Sequence, residues 1–166
     1  MSEYRLTTTW SIPAPVESVW KSLIDTGSWP DWWQYVISVE PIASGDASGL
    51  NTVKRYQWRT CLPYHLALTI CVTELQILRF VEVAVSGDLQ GTGSCQLSFH
   101  PEVKRTQVVF QWNVSTCKFW MNWLPVLSRP IFIWNHAQVM QGGEIGLIRY
   151  LSEPSSFADE SNNAEI

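Results

Sequence analysis

From residue 35 to residue 114 the chain reads as one strand after another, and that run decides most of what it can become. Segments rich in Val, Ile, Thr and aromatics are separated by turn signals at residues 44–49, at Leu62-Pro63, at Gly87-Asp88 and at His100-Pro101-Glu102. This is the spacing of an antiparallel meander. In the last segment Val108, Phe110, Trp112 and Val114 share one parity. Gln107, Gln111 and Asn113 occupy the other, with Val109 the exception. One face of such a sheet is covered and the other is wet.

What covers it comes from the flanks. Tyr4, Leu6, Thr8, Trp10 and Ile12 alternate with polar residues at strand period, and Pro13 and Pro15 stop that strand. Val16, Val19, Trp20, Leu23 and Ile24 follow helical spacing, with Gly27 ending the helix. Ser28-Trp29-Pro30-Asp31 reads as a capping box opening a short second helix through Gln34. After Lys118 the pattern is helical again, but Pro125 and Pro130 interrupt it. The expectation is a short helix over 119–124, a kink, and a long helix from Ser128, as N-cap, to Leu151. The result is an α+β domain over residues 1–152, in which a curved antiparallel sheet of about seven strands grips the long C-terminal helix. Residues 153–166, small, polar and acidic, are expected to be a disordered tail.

Composition narrows the function. The 166-residue chain has 16% charged residues, well under the roughly 25% of an average domain. Its net charge is −4, and its basic residues gather no further than Lys54-Arg55 with Arg59 and Lys104-Arg105, so nucleic acid is not expected as a partner. Cys61, Cys71, Cys95 and Cys117 have no metal or redox spacing, three scattered histidines make no ligand cluster, and neither a metal nor a cofactor is expected. There is no phosphate loop, nucleophile elbow or HExxH. The first residues lack a secretory pattern, and no uncharged run reaches the roughly 18 residues of a membrane span. The expected location is cytoplasmic, as a monomer or homodimer.

Several motifs carry a resemblance. They are Ile12-Pro13-Ala14-Pro15-Val16 with Val19-Trp20, Trp29-Pro30-Asp31-Trp32-Trp33, Leu62-Pro63-Tyr64 and Gly87-Asp88-Leu89-Gln90-Gly91. Trp112-Asn113-Val114, and Trp134-Asn135-His136 with Val139-Met140, Gly143, Gly146 and Leu147, complete the set. The chain resembles the START and birch-pollen-allergen-like (SRPBCC) superfamily, and within it the polyketide cyclase/dehydrase group, over about residues 3–151. The resemblance implies a helix-grip fold with a cavity between sheet and long helix. It also implies a range of functions, from lipid carriers and hormone receptors to aromatase/cyclases and co-chaperone domains.

With the apolar parity turned inward, such a cavity is lined by Tyr56, Trp58 and Thr60, by Leu66, Leu68, Ile70 and Val72, by Leu97 and Phe99, and by Phe110 and Trp112. The long helix adds Phe132, His136, Val139, Gly143 and Leu147, with Met140 one turn beyond His136. These side chains either enclose a small hydrophobic or aromatic ligand or fill the middle themselves. If there is catalysis, His136 is the candidate proton shuttle and Tyr56 its partner for an enolate-like oxygen, by analogy with aromatase/cyclases. The alternative for His136 is a core histidine hydrogen-bonded to backbone. Gly142, Gly143 and Gly146 either let the helix pack closely or leave room for a ligand. Trp29, Trp32 and Trp33 either plug one end of the core or form an exposed rim that docks a lipid carrier on a membrane. Arg55 and Arg59 fall on the solvated face; the opposite parity would make them anion anchors. His65 and His100 read as loop or outer-face residues.

Overall fold

The structure, a computed structural model, describes residues 3–117 and 125–153, with backbone alone for 125–128. A first strand, β1 (Glu3–Ile12), leads into α1 (Val16–Ile24), a single 3-10 turn (Thr26–Ser28) and a one-turn helix, α2 (Trp29–Trp32). Six strands follow: β2 (Val36–Ala43), β3 (Val53–Arg59), β4 (His65–Gln76), β5 (Phe80–Gly87), β6 (Leu89–His100) and β7 (Arg105–Thr116). The long helix is α3 (Pro125–Ser152). All neighbours pair antiparallel in the order β1-β7-β6-β5-β4-β3-β2. This is the helix-grip architecture expected from the sequence. The short helix expected over 119–124, and all but the first residue of the expected tail, lie outside the described residues.

The alternation in β1 holds: Tyr4, Trp10 and Ile12 are buried, and the residues between them are exposed or half-buried. In β7 the inward parity is buried at Thr106, Val108, Phe110, Val114 and Thr116. Three boundaries differ from expectation. Ser28 is no capping-box residue: as the last residue of the 3-10 turn it sits at φ −83°, ψ −8°, and its hydroxyl donates back to the Asp25 carbonyl at 2.8 Å. The short helix ends at Trp32, not Gln34. The long helix begins at Pro125 and runs on through Pro130, so Ser128 lies inside it and is not its N-cap.

Three hydrogen bonds fix α3 over the sheet. The Trp33 indole donates to the Val139 carbonyl at 2.8 Å, Asn135 Oδ1 accepts the Cys61 amide at 2.7 Å, and Glu144 Oε1 accepts the Ser11 amide at 2.8 Å. The last also occupies a free donor of the edge strand β1.

The helix can come this close because of its glycines. A methyl at Gly143 would stand 2.5 Å from the Trp33 ring and 2.7 Å from Trp10, and one at Gly142 would stand 2.6 Å from Tyr35. One at Gly146 would overlap the Trp32 carbonyl. The reading of these glycines as room for a ligand is therefore corrected: tryptophan and backbone already occupy that space.

Candidate functional site

Between the inner face of the sheet and α3 lies a cavity of about 360 Å³, within the range of small-molecule sites. Its wall is built from the inward parity. β3 supplies Tyr56 and Trp58, β4 supplies Leu66, Leu68, Ile70 and Val72, and β7 supplies Phe110 and Trp112. The long helix supplies Phe132, His136, Val139 and Met140. Thr60 and Leu97 also reach it. Trp112 lies across β6 because its cross-strand neighbour is Gly93, where a methyl would stand 2.9 Å from the indole.

Phe99, one of the expected lining residues, does not border the cavity. It has the inward parity, but it pairs with Thr106 near the far end of β6, beyond the cavity, and is 41% exposed. Parity gives the face of a strand and says nothing of how far along that face the cover extends. Gly143 and Leu147, also expected on the wall, are buried in the helix packing and do not border the cavity.

The tryptophans pack against one another beside the cavity. Trp32 and Trp33 are buried and stack at 5.5 Å, Trp33 meets Trp10 and Trp58 edge-on, and half-buried Trp29 lies 5.7 Å from Tyr56. The exposed-rim reading is corrected for Trp32 and Trp33, which burial and stacking hold inside. Among the described residues no helix is long and apolar enough to cross a membrane.

Polar groups on the wall are few. His136 Nε2 is buried and has no hydrogen-bond partner among the described residues, and burial lowers the imidazole's pKa from 6.5 to about 4. The ring is therefore neutral at ordinary pH. The indole N–H groups of Trp58 and Trp112, also on the wall, are buried and unpartnered too. Tyr56 is kept a neutral phenol by burial, which raises its pKa, while a hydrogen bond from the Thr26 side chain pulls the other way. Cys95, on the wall, is pushed up to about 12 by burial and is unreactive as a thiolate.

Arg55 and Arg59 are exposed, as the chosen parity requires, although Arg59 borders the cavity. The cation that the sequence reading missed is Lys54. It shares the parity of Tyr56 and Trp58, is half-buried, borders the cavity, and donates to Thr26 Oγ1 at 2.8 Å. Its parity was legible; its place in the Lys54-Arg55 pair made it look like part of the wet face.

Keeping His136 neutral has a measurable consequence. The unfolded chain, whose imidazole titrates near 6.5, takes up this proton before the folded chain does. The stability tied to the neutral ring is thus present above pH 6.5 and lost as the pH falls through about 4. In urea unfolding, the wild type is expected to lose on the order of 3 kcal/mol more than His136→Gln between pH 7.5 and pH 4. Equal losses in the two proteins would contradict the burial of this ring.

No model of a known protein family matches the chain, and no curated protein matches its sequence. Solved structures do match. The Zhui aromatase/cyclase from Streptomyces sp. R1128 superposes with a TM-score of 0.72 at 16% identity, covering 90% of this chain and 93% of that one. A START superfamily protein from Mycobacterium smegmatis gives 0.70 at 11% identity, covering 88% and 95%. Ara h 8.0201 gives 0.61 at 12% identity, covering 89% and 99%. At these identities the likeness lies in the backbone: the chain has the helix-grip fold of the START, birch-pollen-allergen-like and polyketide-cyclase structures.

Proposed function

We propose that this protein binds a small hydrophobic or aromatic molecule in the cavity between sheet and long helix. The observation that carries the reading is the cavity itself: about 360 Å³ lined mainly by Trp, Leu, Ile and Phe side chains. Such a wall holds a flat or greasy body by dispersion and by removing its area from water. The indole N–H groups of Trp58 and Trp112, buried without an acceptor among the described residues, favour an occupant carrying at least one, since each buried donor left unpaired costs about 1–3 kcal/mol.

Leu68→Trp tests it. The larger ring, projecting from the middle of β4, is expected to fill the cavity. It should lower binding of the neutral fluorophore N-phenyl-1-naphthylamine at least tenfold while cooperative unfolding is retained. Unchanged binding would place the probe, and the proposed ligand, elsewhere.

A second reading is favoured by His136. A neutral imidazole whose buried Nε2 meets no partner among the described residues, on an apolar wall, is equipped to accept a proton. Two similar folds belong to proteins named as an aromatase/cyclase and an ARO/CYC. In this reading the protein closes or dehydrates a polyketide-like ring, with His136 as base and the Tyr56 phenol donating to the enolate-like oxygen. His136→Gln keeps a polar group of similar reach. Under the enzyme reading it abolishes turnover of a bound poly-keto substrate while leaving its affinity within a few fold; parallel loss of both would overturn it.

A further inference from the structure

The binding reading leaves the ligand's polar part undescribed, and the charge on the cavity wall supplies it. Two basic residues border the cavity, Lys54 and Arg59, and among the described residues no Asp or Glu does, in a chain whose net charge is −4. Lys54 is the inward one. Its ammonium meets no carboxylate among the described residues, and its one hydrogen bond, to Thr26 Oγ1, uses one of three donors. A cation against an apolar wall is costly unless it is paired.

Location fits the same purpose. Around Lys54 the wall consists of half-buried Thr26, Gly49 and Thr52 with exposed Ser48 and Ile24, so this end of the cavity is where it meets solvent. The Thr26 hydroxyl joins Lys54 to the Tyr56 phenol, putting an ammonium, a hydroxyl and a phenol at one end of an otherwise greasy space. Asp46, the nearest acid in the loop before β3, is already committed, its Oδ1 accepting from the Ser48 and Leu50 amides.

We propose that the ligand is an amphipathic anion, an aromatic or acyl body ending in a carboxylate or similar singly charged oxyanion, whose head is held by Lys54 and Thr26 at the cavity mouth. The body lies along the indoles of Trp58 and Trp112. A charge-assisted hydrogen bond to an ammonium is about twice as strong as a neutral one, so the head group sets which greasy molecules are taken.

Two fluorophores with the same rings test this: 1-anilinonaphthalene-8-sulfonate carries an anionic group, and N-phenyl-1-naphthylamine does not. The wild type is expected to bind the sulfonate more tightly. Lys54→Met should weaken the sulfonate about tenfold and change the neutral probe less than twofold. Arg55→Met, which removes an equal charge from the neighbouring outward position, should alter neither. Equal weakening of both probes by Lys54→Met would make the lysine a structural support and overturn the proposal. No effect on either would overturn it while leaving the binding reading in place. Failure of the wild type to bind either probe would remove both.

Discussion

Replacing Gly146 with alanine is expected to cost about 3 kcal/mol of stability, although alanine is the better helix former by about 1 kcal/mol. The added methyl would overlap the carbonyl oxygen of Trp32, which is backbone and cannot rotate aside. Trp32 is in turn held by stacking on Trp33 at 5.5 Å, so relief requires α3 and α2 to separate. For a chain of this length the loss corresponds to roughly 10 °C in Tm. A thermal melt of Gly146→Ala decides it: a Tm equal to or above that of the wild type would mean the helix does not approach α2 this closely. The same substitution separates packing from ligand room, because at Gly146 the obstacle is protein backbone.

Trp33→Ala is expected to cost more still, about 4 kcal/mol or above. Trp33 is 2% exposed, touches the rings of Trp10, Trp29, Trp32 and Trp58, and gives its indole N–H to the Val139 carbonyl. Removing it empties the junction between β1, α2 and α3 and deletes a hydrogen bond that seats the long helix. Trp134→Ala, at a position 51% exposed, should change stability by no more than about 0.5 kcal/mol. Chemical unfolding of the two variants side by side gives the contrast. A loss below 1 kcal/mol for Trp33→Ala would revive the idea of an exposed tryptophan rim, and with it a membrane-docking role.

The alternation in β1 and β7 and the helical spacing of α1 were legible because each element is covered on one side only, which writes its period into the residues. The turn at Ile77, Leu78 and Arg79 between β4 and β5 carries no glycine or proline. Leu78 adopts a positive φ of 63° there, an uncommon conformation for a leucine that no turn signal announces. The capping box misled because Ser28 closes a 3-10 turn and is already helical when α2 begins. At the site, Phe99, Gly143 and Leu147 were expected on the wall but do not border the cavity, since parity and helical spacing are local properties. Parity already put Lys54, and not Arg55, on the face of Tyr56 and Trp58; what it could not say is that the cavity extends as far along β3 as Lys54, opposite Ile70. The glycines of α3 showed that something packs close, but not that Trp10, Trp32, Trp33 and Tyr35 are what fills the space.

Whether the cavity holds a small molecule is decided by native mass spectrometry of the protein purified from its own cells. A mass increment of one hydrophobic, acidic passenger per chain, released on denaturation and absent from Leu68→Trp, is the predicted result. A bare mass for the wild type, together with no uptake of either naphthylamine probe, would contradict it and leave the aromatic wall as core.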